Sequence, residues 1–201
     1  MKSENQLETN LWLQFKNGNR NAFAEIYKTH INSLLAYGAK LCSDEEMLKD
    51  NIQDLFIELW NGRENLANVE CAKFYLIKSL RYKLTRVEKK RQLQVSTASS
   101  DENIYKRVEV SVESEIIEKE TRNSQTNTIR KAINILSKRQ QEVIQLRFYQ
   151  GFTNEQIAEL MQMNYQSVSN LIYSSLNRIK KNLASSPVFT TALVAAFSFF
   201  F

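Results

Sequence analysis

Two capping-box spacings stand close together in the stretch from Leu136 to Lys181, LSKRQQEVIQLRFYQGFTNEQIAELMQMNYQSVSNLIYSSLNRIKK, and they leave this part of the chain little choice of fold. Ser137 with Gln140, and Thr153 with Gln156, pair a hydroxyl with a side-chain amide three residues on, the arrangement that satisfies free N–H groups at a helix start. The spacing predicts one helix from about Lys138 to Tyr149, with Val143, Ile144, Leu146 and Phe148 as apolar surface. Gly151 follows, where a helix end favours a residue that tolerates positive φ. A short second helix runs from Asn154 to Met161. A third begins after Asn164, a residue suited to cap it, with Val168, Ile172, Leu176 and Ile179 as the buried row. The other face carries Gln166, Ser167, Ser169, Asn170, Tyr173, Asn177 and Arg178, donors and acceptors suited to base edges and phosphates in a major groove. An αα-hairpin with a solvated polar face is the plainer alternative. Two capped helices, a tight turn and a third helix of this length favour a DNA-binding helix-turn-helix.

The remaining composition points to helices throughout. One proline and four glycines in 201 residues, with abundant Leu, Ile, Glu, Lys and Gln, predict an all-α protein. A net charge of +5 suits a polyanionic partner without requiring one. The start, MKSENQLETN, lacks the apolar core of a cleavable signal, so a reducing cytoplasm is the expected compartment. His30 is the single histidine, too few with Cys42 and Cys71 for a zinc site. Both cysteines are expected to be small buried hydrophobes and His30 a helix-surface residue, with no cofactor, metal or small-molecule substrate implied.

Along the chain, Leu11, Trp12 and Phe15 precede a polar turn, Lys16-Asn17-Gly18-Asn19, and Phe23, Ile26, Tyr27, Ile31, Leu34, Leu35 and Leu41 continue a long amphipathic helical stretch. Ser43 and Glu46 have capping-box spacing and open a helix through Trp60. Its apolar row includes Met47, Leu48, Ile52, Leu55, Phe56 and Leu59, and its other face holds Asp50, Gln53, Asp54 and Glu58. The Asp50 and Asp54 carboxylates, one turn apart, could hold a metal, but no histidine or further acid stands at matching spacing. A solvated face and a protein-docking face remain as readings of that surface.

Residues 61 to 70, NGRENLANVE, break the periodicity and read as a loop, after which a helix resumes near Cys71 with Phe74, Ile77, Leu80, Leu84 and Val87 buried. Between Lys73 and Arg91 stand eight cations (Lys73, Lys78, Arg81, Lys83, Arg86, Lys89, Lys90, Arg91) against one acid, Glu88. Such a density of one sign calls for a negative partner, most simply a phosphate backbone. Tyr75 and Tyr82, interleaved with these cations, are candidates to stack on bases, although aromatic residues on a helix commonly belong to a core. Residues 92 to 127 turn acidic and rich in Ser, Thr and Asn, the composition of a flexible connector, and Thr128 to Leu136 supply a short helix.

The order of these parts resembles the extracytoplasmic-function group of bacterial sigma factors, over roughly residues 8 to 182. The string DNIQDLFIELW from Asp50 to Trp60 is similar to the family's polymerase-docking helix. The resemblance implies that Asp50, Gln53, Asp54 and Phe56 meet the clamp helices of the largest subunit of core RNA polymerase. By the same resemblance, the 61 to 70 loop and the helix FYLIKSLRYKL from Phe74 melt promoter DNA and read its downstream element. Asn61, Arg63, Asn65, Lys73, Tyr75, Lys78, Arg81, Tyr82 and Arg86 are then the DNA-contacting residues of this half. The helix-turn-helix would read the upstream element and touch the polymerase flap.

The implied organisation is two small helical domains, 8–91 and 128–182, joined by an acidic flexible linker, 92–127, with an apolar tail, 183–201. Core polymerase and promoter DNA are the implied partners, with an anti-sigma protein as a further candidate. The chain departs from the family where Ser169, Leu171 and Ser174 replace frequent Lys or Arg. It departs again at the end, where eleven of the fourteen residues from Val188 to Phe201 are apolar. As a helix that tail would reach about 21 Å, short of the ~30 Å hydrocarbon core, which argues against stable membrane insertion. The competing readings are a conventional helix-turn-helix regulator that binds duplex DNA as a dimer without polymerase, and a metal-dependent nuclease built on Asp50 and Asp54.

Overall fold

A turn that needs a left-handed residue divides the first long helical stretch in two. In the computed structural model, which describes residues 2–97 and 132–183, α1 (Lys2–Lys16) and α2 (Arg20–Leu41) are separated by Asn17, Gly18 and Asn19. Gly18 takes φ +86°, open to glycine at little cost, and its N–H donates to the Phe15 carbonyl at 2.8 Å. Asn19 then caps α2, its side-chain oxygen accepting from the N–H groups of Asn21 and Ala22.

The third helix, α3 (Glu45–Asn61), is capped by Asp44 rather than by Ser43. The Asp44 carboxylate accepts from the Met47 N–H at 3.0 Å, and its negative charge is favoured at a helix N-terminus over a neutral hydroxyl one residue earlier. After a single 3₁₀ turn at Arg63–Asn65, α4 (Ala72–Thr97) closes the set. It continues past residue 91 into the segment expected to begin the linker. The rest of that segment and the apolar tail lie outside the described residues.

Contacts divide the chain into two units, Met1–Val110 and Ser111–Phe201. In the first, four helices meet on a core of Trp12, Phe15, Ile26, Leu34, Tyr37, Leu48, Leu76, Ile77 and Leu80, all at most 2% exposed. Leu76 is fully buried where the sequence pattern had placed Phe74 and Val87, which are only half-buried. Rings knit α1, α2 and α3 together. Phe15 stacks on Phe23 at 5.5 Å, Phe23 meets Trp60 at 5.1 Å, and Phe56 sits edge-on to Tyr27 at 4.8 Å. Gly38 lies where α2 passes α3, and a Cβ there would run into Leu48.

His30 is buried rather than on the surface. Its Nε2 lies 3.3 Å from Glu8 Oε1, tying α1 to α2, and only 8% of its side chain is exposed. The hydrogen bond from His30 holds the Glu8 carboxyl below its usual range, against the opposing effect of burial, and the backbone N–H and charge of Lys73 add to the lowering. A carboxylate with a depressed folded-state pKa contributes stability above its unfolded value, here 4.5, and loses it as the pH falls through the folded value. Glu8→Gln is therefore expected to lower the unfolding temperature between pH 6 and 8, with the gap to the wild type closing as the pH falls below 4.5. Thermal melts of both proteins across that range check it. Of the cysteines, Cys42 is buried and donates to the Asp44 carbonyl at 3.1 Å. Cys71 is half-buried, and that burial pushes its thiol pKa up.

The described part of the second unit starts with helical residues 132–134, with Ala132 in its core. Its three main helices are α5 (Lys138–Ile144), α6 (Asn154–Met161) and α7 (Tyr165–Leu183). Both capping boxes form as the spacing predicts, Ser137 with Gln140 and Thr153 with Gln156. The first helix does not continue as α-helix to Tyr149. From Gln145 to Tyr149 it widens into a π turn, with the Gln150 N–H donating to the Gln145 carbonyl at 3.0 Å. Gly151, at φ +76°, then lets the Phe152 N–H reach back to the Leu146 carbonyl at 3.1 Å. The wider turn shifts the phase of the side chains. Leu146 is fully buried, Gln145 and Gln150 turn inward, and Phe148, expected to pack, is 44% exposed.

Candidate nucleic-acid interface

On α7 the polar face and the buried face are set by what packs beneath the helix. Asn164 caps it, its Oδ1 accepting from the Ser167 N–H at 2.7 Å. The buried row centres on Val168, Ser175 and Leu183, while Ile172, Leu176 and Ile179 are half-buried. A serine at 0% exposure escapes an apolar-pattern search. Its hydroxyl is satisfied within the helix, donating to the Leu171 carbonyl at 2.6 Å.

That phase leaves Gln166, Asn170, Tyr173 and Arg178 exposed along one side, with Tyr173 at 60%. Gln166 and Asn170, one turn apart, are joined by a 3.1 Å hydrogen bond that fixes both amides. Ser167, Ser169 and Asn177 are half-buried at the edges of this face. Ser169 is held from below, its hydroxyl accepting from Asn154 Nδ2 at 3.2 Å, so it orients α7 on α6 as much as it faces outward. Tyr165, in the first turn of α7 and 51% exposed, belongs to the same outer end. Asn164 as the cap is the signal that could have placed it there.

The tight turn between α6 and α7 contains the one non-glycine residue with positive φ among the described residues. Gln162 adopts φ 54° and ψ 51°, the left-handed conformation that glycine takes with less strain. Gln162→Gly is expected to raise the stability of this unit by about 0.5–1 kcal/mol without displacing α7. Thermal unfolding together with duplex-DNA binding measures both halves of that expectation.

In the first unit the sequence-expected residues separate into three groups. Asp50, Gln53 and Asp54 are exposed on α3, whose ion pairs run instead through Glu45 with Lys49 and Glu58 with Lys83, both at 2.6 Å. Ile57, 49% exposed, stands in the same arc and was not singled out by the pattern. Beside it a groove of about 620 Å³ runs between α2 and α3, lined by Phe23, Tyr27, Ile31, Gln53, Ile57 and Trp60. Phe56 does not belong with the exposed group. It is 4% exposed and packed edge-on against Phe23 and Tyr27, so its place is in the core under the docking face.

Along α4, Lys78, Tyr82 and Arg86 recur every four residues and are exposed, with Arg81 half-buried beside them. Tyr82, 67% exposed, is free to meet a base plane. Tyr75 is not. It is half-buried, 5.3 Å edge-on from Trp12, and acts as packing. Lys73 is likewise half-buried and turned to Glu8.

The loop between α3 and α4 holds Asn61 and Asn65 outward, whereas Arg63 is folded back. Its guanidinium lies 4.8 Å over the Trp60 ring and donates to the Trp60 carbonyl at 2.9 Å. The contacts of this loop with α1, from Trp12 and Lys16, were invisible to a reading by local pattern.

Similarities to known proteins fall on the same parts. The family model described as sigma-70, region 4, matches residues 126–179, the helix-turn-helix unit. Over 83% of this chain and 95% of its relative, the sequence is 22% identical to RNA polymerase sigma factor YlaC of Bacillus subtilis (strain 168). The fold is shared with the sigma factor RpoE of Bartonella quintana, solved in complex with the anti-sigma factor NepR. The TM-score is 0.58 and the identity 19%, over 82% of this chain and 98% of that one. It is shared also with CnrH, solved in complex with the cytosolic domain of CnrY, at a TM-score of 0.60 and 15% identity over 89% of this chain and 98% of that one.

Proposed function

We propose that the chain is a member of the extracytoplasmic-function group of sigma-70 factors, supported by the region 4 match and the likeness to a curated sigma factor, and that it is a dissociable, non-catalytic subunit that carries core RNA polymerase to particular promoters. The exposed acids of α3, Asp50 and Asp54, together with Gln53 and the neighbouring apolar groove, form the surface that takes the polymerase clamp helices. The exposed row Lys78, Tyr82 and Arg86 on α4, with the half-buried Arg81 beside it, lies along the downstream promoter element, and the 61–70 loop receives bases once they are unpaired. In the second unit, the Gln166, Asn170, Tyr173 and Arg178 face of α7 enters the upstream major groove, and the unit touches the polymerase flap. The domain limits 8–91 and 128–182 follow from the same reading.

The observation that carries this reading is the separation of charge within one four-helix unit. The carboxylates of α3 and the cations of α4 meet through the exposed Glu58 and the half-buried Lys83, while Asp50 and Asp54 remain a separate surface. Two unlike surfaces suit two unlike partners, a basic protein and a polyanion. Opening follows because contacts to unpaired DNA are stronger than those to duplex, so binding shifts the promoter towards its melted form. The sigma factor RpoE of Bartonella quintana was solved with an anti-sigma factor, and a protein of that kind is a further candidate partner of this chain. No helix among the described residues is long and apolar enough to cross a membrane. The cytoplasm is the compartment that this reading implies, because a polymerase partner resides there.

Run-off transcription tests the reading. Core polymerase with this chain is expected to produce specific transcripts from a promoter that core alone ignores. A chain that binds duplex DNA as a dimer and leaves core polymerase unaffected would instead be a conventional regulator.

A further inference from the structure

The loop between α3 and α4 is pinned at both limbs, and one of its anchors is a helix to which the reading above gives no role. On the α3 side Arg63 fixes the 3₁₀ turn, donating to the Trp60 carbonyl at 2.9 Å while pairing with Glu64 at 3.3 Å. Beyond that turn Leu66 is extended, at φ −70° and ψ 140°, and carries the chain towards α1. There the buried indole of Trp12 donates from Nε1 to the Ala67 carbonyl at 3.1 Å. One turn further along α1, Lys16 donates from Nζ to Asn68 Oδ1 at 2.8 Å. Between these anchors Glu64 and Asn65 stand exposed at the crest.

Backbone that makes few hydrogen bonds of its own is ordinarily mobile, and ordering it on binding would subtract from affinity. Here the ordering is already done in the free fold. We infer that Trp12 and Lys16 of α1 are positioning residues for promoter opening, holding the 61–70 arch in the shape that receives an unpaired DNA strand. This rests on the reading that the arch is where unpaired bases bind. Trp12 and Lys16 touch no DNA in this arrangement; they act through Ala67 and Asn68.

The test compares holoenzyme affinity for two DNA probes of one sequence, a full duplex and a fork with an unpaired strand beside the downstream element. Lys16→Met and Trp12→Phe are each expected to lower fork affinity by up to about tenfold, the scale of one net hydrogen bond. Duplex affinity, core binding and the unfolding temperature of Lys16→Met should stay as in the wild type. Lys16→Arg, which keeps a donor, is expected to retain fork affinity. Lys16→Met combined with Asn68→Ala should be no worse than either change alone.

An equal loss on fork and duplex would mark a general structural role and overturn the inference. Asn65→Ala separates this inference from the reading beneath it. Fork affinity lost in Asn65→Ala but kept in both α1 variants overturns the positioning role alone. Fork affinity kept in all three overturns the arch as the base-binding element, and this inference with it.

Discussion

Replacing Asp50 and Asp54 together by Lys is expected to weaken binding to core RNA polymerase by about a hundredfold or more while leaving the N-terminal unit folded. Both carboxylates are exposed on α3, so their replacement empties no core. The new lysines would stand one helical turn from Glu46 and Glu58, spacings at which opposite charges assist a helix by about 0.2–0.5 kcal/mol. At the interface the sign change acts in the other direction. Removing one partner of a close interfacial charge pair costs about 2–5 kcal/mol, and about 2.7 kcal/mol corresponds to a hundredfold. Titration of labelled core polymerase with each protein, alongside a melting curve, measures both halves. A folded double variant that binds core as tightly as the wild type would remove this face from the polymerase contact.

The second large effect concerns DNA. Lys78→Ala, Arg81→Ala and Arg86→Ala combined are expected to lower holoenzyme affinity for promoter DNA roughly a hundredfold in low salt. The slope of log affinity against log salt should become shallower by about 2 to 3, since each lost phosphate contact removes about 0.7–0.9 from it. The two readouts discriminate. A fall in affinity with an unchanged slope would mean that α4 had been distorted rather than stripped of phosphate contacts. Core binding should be unaffected, because the α3 face is untouched.

The parts of this molecule that local chemistry dictates were open to inspection in the bare chain. Ser137 with Gln140 and Thr153 with Gln156 cap their helices because each motif closes within one turn and needs nothing from elsewhere. The three helices of the second unit follow for the same reason, whereas the stretch from Leu11 to Leu41, read as one long amphipathic run, is two helices parted at Gly18. What escaped depends on contacts between distant residues or on a change of helical phase. The π turn at Gln145–Tyr149 swings Phe148 out, and no periodicity argument that assumes a constant pitch can find it. Ser175 lies at the centre of the buried row of α7 because its hydroxyl is satisfied by Leu171, a solution that hydrophobicity does not encode.

The site residues divide along the same line. Asp50, Gln53, Asp54, Lys78, Tyr82 and Arg86 are exposed as expected from faces of single helices. Phe56, Tyr75, Arg63 and Lys73 are less exposed than single helix faces suggest, because neighbours from other elements or a local stack lie against them: Tyr27 for Phe56, Trp12 for Tyr75, Trp60 for Arg63 and Glu8 for Lys73. His30 turned inward because Glu8, on a different helix, offers it a partner.

The whole account stands on association with a polymerase, and sedimentation or size-exclusion of the full chain mixed with core RNA polymerase measures that directly. It predicts that the chain migrates with core, one copy per enzyme, and that the complex makes promoter thymines near the start site reactive to permanganate. A chain that stays separate from core at every ratio and salt concentration, while still binding duplex DNA, would contradict it.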